Sequence, residues 1–137
     1  MAKAQASTTT SKKTKSNRTK RTVNHGCIHI LASFNNTLIS ISDLQGNVLA
    51  STSAGACGFR GAKKGSPHAA QTAANQVITK AMKNFNLKKL NIYVKGVGSG
   101  RESTIRTLLS KDIQIDLIAD KTSIPHGGVR PRKARRV

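Results

Sequence analysis

From Gly26 to Ser53 apolar and polar side chains alternate with a period of two. Ile28, Ile30, Ala32 and Phe34 fall on one parity, and Cys27, His29, Leu31 and Ser33 on the other. Such alternation marks strands with one buried face. Asn35-Asn36 divides this run from the next, Thr37 to Ser42, where Ile39 and Ile41 alternate with Ser40 and Ser42. The asparagine pair reads as a two-residue hairpin turn. Gln45-Gly46-Asn47 is a second turn signal, and Val48 to Thr52 is a third strand. The expected N-terminal half is an antiparallel meander of three strands.

Ala54 to Gly65 is glycine-rich and basic, with no usable period, and reads as a loop. Ser66-Pro67 then opens a helix, with serine as N-cap and proline at the first helical position. Ala70, Ala73, Ala74, Val77, Ile78, Ala81, Met82 and Phe85 recur at helical spacing and carry it to about Asn84. So many alanines predict close packing on a sheet. Leu90, Ile92 and Val94 form a fourth strand. Ser99 and Glu102, three residues apart after a glycine-rich turn, are spaced as a capping box. The helix they open runs to about Ser110 and buries Ile105, Leu108 and Leu109. Ile113, Ile115 and Leu117 make a fifth strand that ends at Asp120. The order βββαβαβ predicts an α/β fold with a mixed five-stranded sheet, hairpin-linked strands first and a parallel half last.

Charge divides the 137 residues differently. Residues 1–22 contain seven lysines and arginines and no acid, and residues 121–137 contain six and no acid. All five acids (Asp43, Glu102, Asp112, Asp116, Asp120) lie between them. The net charge of +19 is therefore mostly a property of two basic tails, 1–22 and 121–137, on a milder domain, 23–120. Tails of this kind suit a polyanion such as nucleic acid.

Other chemistries find little support. Two cysteines, Cys27 and Cys57, are too few for a disulfide framework and fit a reducing compartment. No apolar run approaches the ~20 residues of a membrane span. The acid-free, Ser/Thr-rich N-terminus resembles a transit peptide in composition but is short for one and opens as an ordinary mature start. Phe34, Phe59, Phe85 and Tyr93 are the only aromatics. That scarcity favours backbone and shape recognition over base stacking. The Gly96–Glu102 turn has Arg101 where the dinucleotide fingerprint requires glycine, so an RNA phosphate at the helix N-terminus is a better ligand than a cofactor. His25, Cys27 and His29 share one face of a strand but lack a second ligand pair, so no metal site is expected. No catalytic residue, metal or cofactor is assigned: the acids are ungrouped, and Ser66 near His68 is explained by capping.

Six stretches, in order, resemble the small-subunit ribosomal protein eleven family. They are Ala32 to Thr37, Ser53 to Gly61, Pro67 to Ala74, Val94 to Gly98, Gly100 to Ser103, and Ile124 to Gly127 with Arg130-Pro131. Together they span about residues 23 to 137. The resemblance implies a ribonuclease-H-like fold and no enzymatic activity. It also implies a place on the platform of the small subunit, bridging several rRNA helices and helping to form the cleft for the messenger's Shine–Dalgarno helix. The neighbours it implies are ribosomal proteins six, seven, eighteen and twenty-one. Gly127-Gly128 stands where many members have Asn-Gly, which removes an isoaspartate-prone site. Val97 and Ser99 replace prolines common in the glycine loop, Val129 and Arg132 replace the usual cysteine and proline, and His68 stands where phenylalanine is frequent. Cys57-Gly58-Phe59 and Gln71 to Ala74 look similar to plastid members, which favours a plastid over a bacterial cytoplasm.

The rRNA-binding residues expected are Lys12, Lys13, Lys15, Arg18, Lys20 and Arg21 in the first tail and Asn35, Asn36, Arg60, Lys63, Lys64, Lys95, Gly98 and Arg101 in the domain. His126, Arg130, Arg132, Lys133, Arg135 and Arg136 complete the set in the second tail. The competing classes are a nuclease on the ribonuclease-H-like fold, which would need clustered carboxylates, and a free nucleic-acid-packaging protein.

Overall fold

The computed structural model describes residues 22–134 and residue 136. Five strands and two α-helices follow the expected order: β1 (His25–Ala32), β2 (Thr37–Asp43), β3 (Val48–Ser53), α1 (Pro67–Phe85), β4 (Lys89–Lys95), α2 (Gly100–Leu109) and β5 (Gln114–Asp120). A short 3-10 helix, Gly61–Gly65, precedes α1 inside the segment expected to be loop. The strands lie in one sheet in the order β3-β2-β1-β4-β5. The meander is antiparallel, and β4 and β5 add in parallel.

Both helices cover the same face of the sheet. Ile28 and Ile30 of β1, Ile39 and Ile41 of β2, Leu90, Ile92 and Val94 of β4 all point into one core with Ala73, Ala74, Val77, Ile78 and Ala81 of α1 and Leu108 of α2. Each fully buried isoleucine or leucine contributes about 1.5–3 kcal/mol relative to exposure. The alanine face of α1 lets the helix lie close to the sheet. Its N-terminus is capped as expected, with Ser66 Oγ accepting from the Ala69 N–H at 3.3 Å and Pro67 at the first position. At the other end Asn86 adopts the left-handed conformation and its N–H bonds the Met82 carbonyl.

Four local expectations are corrected, the first being the burial of Leu109, which is exposed at the end of α2 while Leu108 alone of the pair enters the core. The β1–β2 connection is not a two-residue turn but the four-residue loop Ser33 to Asn36, closed by the Ser33 N–H to the Asn36 carbonyl at 2.9 Å. This takes Phe34 out of the strand and leaves it 78% exposed. Ser99 makes no side-chain cap to α2, and Glu102 instead pairs with Arg106 at 3.7 Å on the helix surface. On β5, Leu117 does not face the core. A register shift between Leu90 and Asn91 sets Leu117 beside Asn91, on the open side of the sheet. A one-residue slip in a strand reverses which face each side chain takes.

A candidate nucleic-acid interface

The loops at one end of the sheet are pressed together by glycines. Gly98 lies so close to the Ser33 carbonyl, and Gly65 so close to the Phe34 carbonyl, that a Cβ at either position would clash. The Gly98 N–H bonds the Ala32 carbonyl at 3.2 Å, and Ser99 Oγ donates to the Gly65 carbonyl at 2.7 Å. The missing cap of α2 is thereby explained, since the Ser99 hydroxyl joins two loops instead. Three segments, 33–36, 61–66 and 96–100, form one surface.

Several expected binding residues meet there. Asn35 is exposed, while Asn36 turns its Oδ1 inward to accept the Thr37 N–H at 3.0 Å. Arg60 and Lys63 are exposed and Lys64 is half-buried around the 3-10 helix, which contains no acid in its first turn. Gly98 is buried in the seam, so it shapes the surface by letting the backbones approach. Lys95 is exposed at the end of β4. Phe59 and His68 meet edge to face, with centroids 5.9 Å apart, and pin the 54–65 segment to the start of α1.

Arg101 is engaged inside the chain. Its guanidinium donates to the Gly96 carbonyl, to Thr122 Oγ1 at 3.3 Å and to the Asp120 carboxylate. Thr122 in turn donates to Asp120 from its N–H at 2.8 Å and accepts from the Gly96 N–H at 3.2 Å. Hydrogen bonds from Thr122 and then from Arg101 hold the Asp120 carboxyl at about 2, below the usual 3.8. The arginine expected at the RNA braces the glycine loop against the end of β5. The same network extends ordered contacts two residues into the expected C-terminal tail. Beyond it, His126, Arg130, Arg132, Lys133 and Arg136 are exposed and have no carboxylate partner among the described residues. Lys12, Lys13, Lys15, Arg18, Lys20, Arg21 and Arg135 lie outside the described residues.

The acids are dispersed. Asp43 accepts from Gln45, Asn47 and the Asn47 side chain in its turn, and Asp116 lies 3.8 Å from His25. His25, Cys27 and His29 do share a face, but His25 reaches Asn91 at 3.3 Å, Cys27 is buried, and His29 lies near Ser42 Oγ at 3.4 Å. Among the described residues no three His, Cys, Asp or Glu side chains converge.

One pairing is not legible in the sequence. His29 and Tyr93, neighbours in register on β1 and β4, stack on the open face with centroids 5.4 Å apart and planes 22° from parallel. Lys121 Nζ sits over the Tyr93 ring, 4.1 Å from its centroid. Burial, then Lys95 and Lys121, lower the pKa of His29 and favour the neutral ring. Parity against Ile28 and Ile92 would have shown that both rings point away from the core. Strand adjacency could not be read from the chain.

The sequence profile described as ribosomal protein S11 matches residues 26–136. The chain belongs to that family. It is 51% identical over 127 residues to "Small ribosomal subunit protein uS11c" of Nephroselmis olivacea, covering 93% of this chain and 97% of the relative. It is 50% identical over 117 residues to "Small ribosomal subunit protein uS11" of Coxiella burnetii (strain RSA 331 / Henzerling II), covering 85% and 95% respectively. Membership of the S11 family bears out a structural ribosomal role without enzymatic activity. The β-sheet with its two helices agrees with the α/β architecture expected from the resemblance.

Proposed function

We propose that this chain is a structural constituent of the small ribosomal subunit that binds rRNA on the platform and bridges several rRNA helices. The observation that carries the reading is the seam of three loops. It brings Asn35, Arg60, Lys63 and Lys64 onto one surface beside Lys95, and the acid-free tail leaves from the C-terminal end of β5, next to the 96–100 loop. Cations and exposed backbone on such loops contact phosphates and position RNA without reading bases. Arg101 belongs to this reading as the brace that holds the loop, and Gly98 as the point of close approach. Lys12, Lys13, Lys15, Arg18, Lys20 and Arg21 would add a second basic arm.

On the same reading the protein helps form the cleft for the messenger's Shine–Dalgarno helix, beside ribosomal proteins six, seven, eighteen and twenty-one. The compartment it favours is a plastid, with a bacterial cytoplasm second. The high coverage of the uS11c relative supports that order. The test is crosslinking of the full chain in assembled small subunits. Crosslinks from Lys63 or Lys64 and from the Arg130–Lys133 stretch should fall on different rRNA helices. Crosslinks confined to one helix, or absent from both segments, overturn the bridging role.

A further inference from the structure

The face of the sheet opposite the helices carries a groove apart from the loop seam, bordered by Lys95 and by Lys121 at the start of the second tail. Its central row runs across the sheet as Ser51, Ser40, His29 and Tyr93, each beside the next in register. The two serines are small, so one side of the imidazole is left open while Tyr93 backs the other. The contact with Ser42 Oγ at 3.4 Å positions the ring. Leu31 and Leu38, each 47% exposed, flank the slot. Lys95 lines it, Lys121 stands over Tyr93, and no Asp or Glu is among the residues that line it.

We propose that this groove holds an unpaired nucleotide of RNA, with the base stacked on the free face of His29. The inference rests on the rRNA-binding reading and adds a subsite to it. A base has a flat apolar face for the imidazole and leucines, polar edges for the serine hydroxyls, and a phosphate for the lysines. Stacking on side chains of a sheet is one way proteins hold single-stranded RNA. The scarcity of aromatics in the sequence points away from this mode. The fold answers it by pairing the lone tyrosine with a histidine and a lysine from distant segments.

The test uses the full chain and a short single-stranded oligoadenylate with 2-aminopurine at its centre. Binding should quench the fluorescence, and the same sequence in a duplex should bind without quenching. His29→Ala, at an exposed position, should weaken oligonucleotide binding about fivefold or more and abolish the quench. Tyr93→Phe should retain both. Binding without quenching, or a His29→Ala protein that keeps both, overturns the subsite. If that protein still binds structured rRNA, the rRNA reading stands, whereas a wild-type chain that binds neither RNA sinks both. A photo-crosslinking residue in place of Ser40 decides the occupant in assembled subunits. Capture of rRNA supports the proposal, and capture of a protein overturns it.

Discussion

Asp120 shows how one side chain changes role between sequence and fold. By position it is the last residue of a strand, and by chemistry it is one of five acids in a chain of net charge +19. In the fold it receives Arg101 and Thr122 together. Because its carboxyl titrates at about 2 in the folded chain and near 3.8 otherwise, it stabilises the fold fully above about pH 4. That contribution is lost as the pH falls toward 2. The expected outcome for Asp120→Asn is a lower melting temperature than the parent at pH 5, with the gap closing between pH 4 and 2. A gap that stays constant across that window would show that the carboxylate charge is not what Arg101 and Thr122 hold. Arg101→Ala, which also frees the Gly96 carbonyl, should lower the melting temperature at pH 7 more than Asp120→Asn does.

At the scale of elements, the two helix starts respond differently to the same kind of change. Ser66→Ala removes a real cap and should cost about 1 kcal/mol in denaturant unfolding. Glu102→Ala removes only an exposed i,i+4 pair with Arg106, about 0.3–0.5 kcal/mol. Equal losses at the two sites would restore the capping box that the structure replaces. The difference marks what the chain made legible. Period-two runs, the Ser66-Pro67 start and the alanine face of α1 are decided within a few residues, so β1 to β4 and α1 were read near their true limits. The role of Ser99 depends on Gly65, more than thirty positions away, and the facing of Leu117 depends on a bulge in its pairing with β4. The His29–Tyr93–Lys121 column needs three strands to be placed before it exists. Of the candidate interface, the basic loop and tail were visible as composition, but the inward commitment of Arg101 and Asn36 was not.

For the whole molecule, charge and fold are separable. The bracing around Thr122 places the start of the free basic tail at Ser123, so deletion of residues 123–137 should leave the domain folded. Five lysines and arginines leave with it. Affinity for rRNA should fall, and the slope of log K against log salt should become shallower by up to about 3.5–4.5 if each pairs with a phosphate. An unchanged slope would assign the electrostatic contribution to the loops or the first tail. Ile28 lies beside Ile41 on one side and Ile92 on the other, so β1 is the middle of the sheet although it is the first strand made. During synthesis its hairpin edge is satisfied once β2 has emerged, but its other edge waits for β4. At ~5–20 residues per second that delay is on the order of 3–10 s, during which an isoleucine-rich surface and an open strand edge face the cytosol or stroma. The nascent chain's window of vulnerability to aggregation is thus set by topology, and no surface charge added to the finished protein would shorten it.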